Sequence, residues 1–108
     1  MAASAEFVAH MREQFAPLGG ATDAVFFGGR AFSWRGKQFA WVMGSTLYLR
    51  AGDATRAEFE KHGAEPFSYS TKKGVVLVRK FYTAPEFLMD DAEQMLAWAR
   101  KAIVAAST

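Results

Sequence analysis

The chain has 108 residues, 51% of them apolar, with thirteen basic side chains against eleven acidic ones. That fits one domain with enough apolar content for a real core. The absence of cysteine excludes disulfides and thiolate metal sites. No apolar run reaches the roughly 20 residues of a membrane helix, and MAASAEFVAHMRE lacks the basic start and long apolar run of a secretory signal. The expectation is a single domain over 1–108, soluble and cytoplasmic.

In chain order, residues 4–18 read as a helix. Phe7, Val8, Met11, Phe15 and Leu18 recur at helical spacing, Ser4 suits the N-cap, and Pro17 with Gly19-Gly20 ends the run. Strand signals follow at 23–28, 30–35, 37–43 and 46–50. They are broken at Gly28-Gly29, Arg35-Gly36 and Gly44-Ser45, where glycine supplies the positive φ of tight hairpin turns. This predicts a four-stranded antiparallel meander. Asp53 is the expected N-cap of a helix over 54–62, closed by Gly63.

Two further strands are expected at 66–70 and 75–82. The second, VVLVRKFY, has apolar residues on both faces, Val76 and Val78 against Val75, Leu77 and Phe81, and so reads as central or covered on both sides. Thr83-Ala84-Pro85-Glu86 has the form of a capping box. Asp90-Asp91 caps a terminal helix over about 91–105, with a stripe of Ala92, Met95, Leu96, Ala99, Ala102 and Ile103 and with Trp98 on its flank. The end from Ala105 to Thr108 is expected to fray. The order α-β4-α-β2-α predicts an α+β domain of two layers, an antiparallel sheet with flanking helices.

The residues offer little for catalysis or metal binding. Gly28-Gly29-Arg30 lacks the longer glycine spacing and the following Lys-Ser/Thr of a phosphate-binding loop. His10 and His62 lie on different predicted helices without a converging ligand set. Neither histidine has a route to Ser33, Ser45, Ser68, Ser70 or Thr71 as an activating base. We therefore expect no catalytic, cofactor or metal residues, and not an enzyme. Basic and aromatic residues interleave at 30–37 and again at 79–82, in the manner of nucleic-acid-binding surfaces.

One family resemblance runs from about Phe7 to Ala102. Phe26-Phe27-Gly28-Gly29, then Phe32, Gly36, Phe39 and Ala40, Leu47-Tyr48-Leu49-Arg50, Phe67 and Tyr69, Tyr82, Pro85 and Trp98 together resemble the N-terminal domain of the TfoX/Sxy regulators of bacterial competence for DNA uptake. The chain departs from the usual pattern. Phe26 stands where such domains usually have Met, Ala31 where a glycine is common, Ser33 where a tyrosine is common, and Arg50 where a lysine is usual. Full TfoX/Sxy proteins carry a second helical domain, and here the sequence stops at Thr108, so a stand-alone N-domain is expected.

The resemblance implies a fold similar to type III secretion chaperones and a non-enzymatic regulatory domain, a transcriptional co-regulator with a protein partner such as a transcription factor. It implies that Phe27, Gly28, Gly29, Gly36, Tyr48, Pro85 and Trp98 are structural. The expected contact residues are Arg30, Trp34, Arg35 and Lys37, with homodimerisation as a separate expectation. The alternatives are direct nucleic-acid binding through basic and aromatic residues in 30–37 and 72–80, and a small-ligand protein or enzyme.

Overall fold

In a computed structural model describing residues 3–108, one sheet of six antiparallel strands carries helices on one face. Helix α1 spans Ala5–Phe15 and continues as a 3-10 turn over Ala16–Leu18. Strands β1 (Ala21–Phe26), β2 (Gly29–Trp34), β3 (Lys37–Met43) and β4 (Thr46–Arg50) form the expected meander. Helix α2 (Arg56–Lys61) precedes β5 (Pro66–Thr71) and β6 (Gly74–Thr83). A second 3-10 turn, Glu86–Asp90, leads into α3 (Ala92–Ala106). The sheet order is β1-β2-β3-β4-β6-β5.

The hairpin turns explain the register. Phe27 and Gly28 both have positive φ, 46° and 78°, as do Arg35 and Gly36, 49° and 79°. Two successive positive φ values match the right-handed strand twist, which makes such turns good hairpin connectors. The first turn is therefore Phe27-Gly28, and Gly29 already begins β2. A Cβ on Gly29 would run into the Val42 carbonyl oxygen of the neighbouring strand, so close backbone approach fixes this glycine.

The main core lies between the sheet and the helices. Val8, Met11 and Phe15 of α1 and Met95, Trp98, Ala99 and Ala102 of α3 pack on Phe32, Phe39, Val42, Leu47, Leu49 and Tyr82. Phe15 sits edge-on to Phe32 and Phe39, with ring centroids 5.2 and 5.0 Å away. Burying one such side chain stabilises the fold by about 1.5–3 kcal/mol. A bulge between Phe32 and Ser33 in the β2–β3 pairing lets Phe39 and Ala40 both reach this core.

The local expectations at several positions differ from the structure. Asp53 does not cap α2: it pairs with Arg56 at 2.8 Å, and Thr55 occupies the cap position. No capping box forms at Thr83, whose hydroxyl accepts instead from the Glu65 amide. Trp98 is central to the core, 4% exposed, rather than on a flank. The alanine-rich end does not fray at Ala105, because Gly52 leaves room for it, with the Ala105 Cβ 3.3 Å from where a Gly52 side chain would start.

The largest difference concerns β6. Only Phe81, Tyr82 and Thr83 pair with β4, while Gly74 to Val78 pair with β5 alone. The β5–β6 hairpin is therefore an arm that runs past the rest of the sheet. Val75, Leu77 and Tyr69 are exposed on it. β6 is thus neither central nor doubly covered along this stretch: alternating apolar residues specify two apolar faces but not what covers them.

Candidate interaction surface

The face of the sheet opposite the helices is also aromatic. Trp41, Phe81 and Ala31 are buried there, flanked by Phe26, Met43, Tyr48 and Phe67. Trp41 anchors the group, with ring centroids 4.5 Å from Phe67, 5.5 Å from Phe26 and 6.0 Å from Phe81. Among the described residues no helix lies over this group, and the sheet forms a groove of about 490 Å³ among Phe26, Phe27, Trp41, Phe67, Tyr69 and Val78. Burial of the tryptophan body comes from its strand neighbours, and its N–H is satisfied by the Phe26 carbonyl at 3.1 Å.

An irregularity in β6 builds the far wall. Across β5, Pro66 pairs with Tyr82 but the next residue, Phe67, pairs with Val78. Arg79, Lys80 and Phe81 are thus the extra residues of a bulge, and the alternation changes phase there. Val78 lines the groove together with Phe81, while Tyr82 turns into the main core. The bulge is held from outside: Ala51 N–H donates to the Lys80 carbonyl at 2.7 Å, and Arg56 Nε to the Arg79 carbonyl at 3.3 Å.

Two polar side chains border the groove. Arg50, opposite Phe81 in the β4–β6 register, holds its guanidinium 5.8 Å from the Phe81 ring centre, and its Nε is enclosed without a hydrogen-bond partner. Tyr48 keeps its proton to higher pH than an ordinary tyrosine, first because of burial and then because of the negative charge of Glu65. Among the described residues, no group of three or more His, Cys, Asp or Glu side chains is placed to hold a metal. His62 packs beside the rings of Phe87 and Trp98, at 5.1 and 5.6 Å.

The four expected contact residues do not form one patch. Trp34, Arg35 and Lys37 meet at the β2–β3 turn, with the Arg35 guanidinium 4.4 Å over the Trp34 ring. Trp34 is half-buried, and its indole N–H donates to the Gly19 carbonyl at 2.8 Å. Arg30 lies at the other end of β2, on the helix side of the sheet. Its Nε is 2.7 Å from Asp23, which also takes two hydrogen bonds from Arg12. These contacts hold the Asp23 carboxyl below the usual carboxylate range, with the Arg12 hydrogen bonds as the leading cause.

The residues expected to be structural are placed as follows. Gly28, Gly29 and Gly36 form or adjoin the two turns, Pro85 and Trp98 are buried, Tyr48 is half-buried on the uncovered face, and Phe27 is 79% exposed. The aromatic groove was not among the expected contacts. Strand alternation alone would put Phe39 and Trp41 on one face, and the β2–β3 bulge is what sends Phe39 into the main core and leaves Trp41 on the other face.

The sequence profile of the TfoX N-terminal domain matches residues 13–106, nearly the whole chain. The chain belongs to the TfoX N-terminal domain family. Membership suggests a competence-related regulatory domain, and the meander, the Phe27-Gly28-Gly29 turn and Trp98 of this TfoX N-terminal domain all fall inside the matched region. No curated protein matches the chain. No helix among the described residues is long and apolar enough to cross a membrane.

Proposed function

We propose that this TfoX N-terminal domain is a non-enzymatic regulator that acts by docking a segment of another protein, a transcription factor by family analogy, against the uncovered face of its sheet. The observation that carries the reading is the groove itself. Its walls are apolar and aromatic, and its base is preformed by the Trp41–Phe67 contact at 4.5 Å. Sites of this kind bind by burying an anchor side chain. The Arg50 guanidinium beside Phe81 favours an occupant that sets a carboxylate next to that anchor. An extended or helical segment with one large apolar residue flanked by Asp or Glu has the required chemistry.

The test is complementation. Transcripts are compared between cells lacking the gene and cells restored with the wild type or with a Tyr69→Lys, Val78→Lys variant, both positions being on the groove wall. The reading expects a defined transcript set to change on deletion and to be restored by the wild type only, with unaltered far-UV dichroism of the variant. Full restoration by the groove variant, or no transcript change on deletion under conditions where the protein is made, overturns it.

A further inference from the structure

Several cations gather at one end of the sheet. β2, β4 and β5 run toward one end of the sheet, and β6 starts there, because each neighbouring pair is antiparallel. The turns Arg35-Gly36 and Lys72-Lys73 therefore lie at the same end. Glu65 precedes β5 and Glu86, Asp90, Asp91 and Glu93 follow β6, so these acids lie at the opposite end, whereas Asp53, just past β4, and Glu60, 3.8 Å from Arg79, lie toward the basic end. Local potential follows the placement of these cations rather than the near-neutral total.

The arm itself, residues 66–83, carries Lys72, Lys73, Arg79 and Lys80 and no acidic side chain. Among the described residues, Arg35, Lys37, Lys72, Lys73 and Lys80 make no ion pair, and Arg79 has only a 3.8 Å contact to exposed Glu60. Five residues of β6, Gly74 to Val78, lie beyond both the β4 pairing and the bulge, a reach of about 16 Å at strand rise.

We propose that this basic end is a contact for duplex DNA, with the β5–β6 arm entering the major groove and the Arg35–Lys37 turn resting on the adjoining backbone. A two-stranded ribbon is the shape that the roughly 12 Å major groove admits. Cations at its tip and its base meet phosphates of the groove walls. Other occupants fit less well. A membrane-inserting hairpin needs an apolar tip, and this tip is two lysines with Val75, Val76 and Leu77 behind them. Two-fold pairing of the free β6 edge with a second copy, centred on Val76, sets Lys73 opposite Arg79 and Lys72 opposite Lys80, where like charges repel. The base of the same arm supplies Phe67, Tyr69, Val78 and Phe81 to the aromatic groove, while the tip residues Lys72 and Lys73 lie outside it and set this contact apart from the protein partner proposed there.

Fluorescence anisotropy of a labelled mixed-sequence DNA duplex of about 20 base pairs, two turns of helix, tests the assignment with the full chain. Binding is expected at about 50 mM salt, with a log–log salt slope near −5 from the four arm cations and the two of the Arg35–Lys37 turn at about −0.9 per phosphate. The exposed double variant Lys72→Gln, Lys73→Gln is expected to keep its far-UV dichroism and to flatten the slope by about 1.8, two phosphate contacts' worth. Duplex RNA, whose major groove is too deep and narrow for a ribbon, is expected to bind more weakly. No binding at about 100 μM protein, the weak limit of non-specific association, overturns the proposal. So does an unchanged slope in the double variant, tighter binding of duplex RNA or of anionic lipid vesicles, or equal displacement by poly-glutamate at matched charge.

Discussion

The indole N–H of Trp41 donates to the carbonyl oxygen of Phe26, two strands away, at 3.1 Å. The bond crosses over β2 at Gly29, the one strand residue between them without a side chain. It ties the rim of the aromatic groove to the β1–β2 turn. A Cβ added at position 29 would meet the Val42 carbonyl, the Met43 sulfur and the Trp41 indole nitrogen.

Gly29→Ala is therefore expected to destabilise by about 2–3 kcal/mol, because its neighbours are backbone and a packed ring that has no room to move. Gly36→Ala meets open space but a φ of 79°, and is expected to cost about 1 kcal/mol. Urea unfolding of both variants checks the order. An equal cost would mean that close approach at Gly29 is not what fixes that residue.

Asp23 links α1, β1 and β2 through Arg12 and Arg30. Its folded-state pKa lies below the unfolded value, so its contribution is complete above about 3.9 and is lost as pH falls through the lower, folded value. Asp23→Asn imitates the protonated form. It is expected to cost about 1 kcal/mol at neutral pH, since the bidentate geometry is favourable but Arg12 is half-exposed. Stability measured against pH is expected to show the two proteins converging below about pH 3.9. A constant gap across that range would refute the linkage.

Tyr82 works at the other end of the pH scale. Its hydroxyl donates to Glu60 at 2.7 Å, and its pKa is raised first by burial and then by that hydrogen bond. A raised folded-state pKa gives stability that is complete below the unfolded value, about 10, and is lost as pH rises through the folded one. Tyr82→Phe keeps the ring contact with Phe59 at 5.6 Å and loses the hydroxyl, at a cost of about 1 kcal/mol near neutrality. The alkaline unfolding limb of the variant is expected to be shallower than that of the wild type.

Much of this architecture is legible in the chain. The Arg35-Gly36 turn follows from glycine in the second position, whereas the first turn falls at Phe27-Gly28, one residue before the expected Gly28-Gly29 break, and α1 and α3 follow from apolar spacing with Ser4 and Asp91 as caps. The arm is not legible, because VVLV reads alike whether a strand is covered or bare. The bulge at Arg79 to Phe81 is set by distant partners, the Ala51 amide and the Arg56 side chain, and leaves no local signature. The same limit applied to the surface. Phe26, Trp41 and Phe67 read as core by composition, and only the placement of all helices on one face makes them a groove. Arg30 stands five residues from Arg35 in sequence, yet strand geometry sends it to the opposite end of β2 and into the Asp23 pairing.

Phe27 separates folding from function most cleanly. It occupies the first turn position with φ 46°, a conformation that favours Asn or Gly, and it is 79% exposed. Its ring touches Phe26 at 4.5 Å and otherwise borders the groove. Phe27→Asn produces the turn sequence Asn-Gly, the best suited to this geometry, and removes a solvent-facing ring. Stability is expected to stay level or rise by up to about 1 kcal/mol. If the groove docks a protein, the same variant is expected to restore the transcript profile poorly despite being no less stable. A loss of several kcal/mol would instead make Phe27 a packing residue, and full restoration would place the docking contact elsewhere on the sheet.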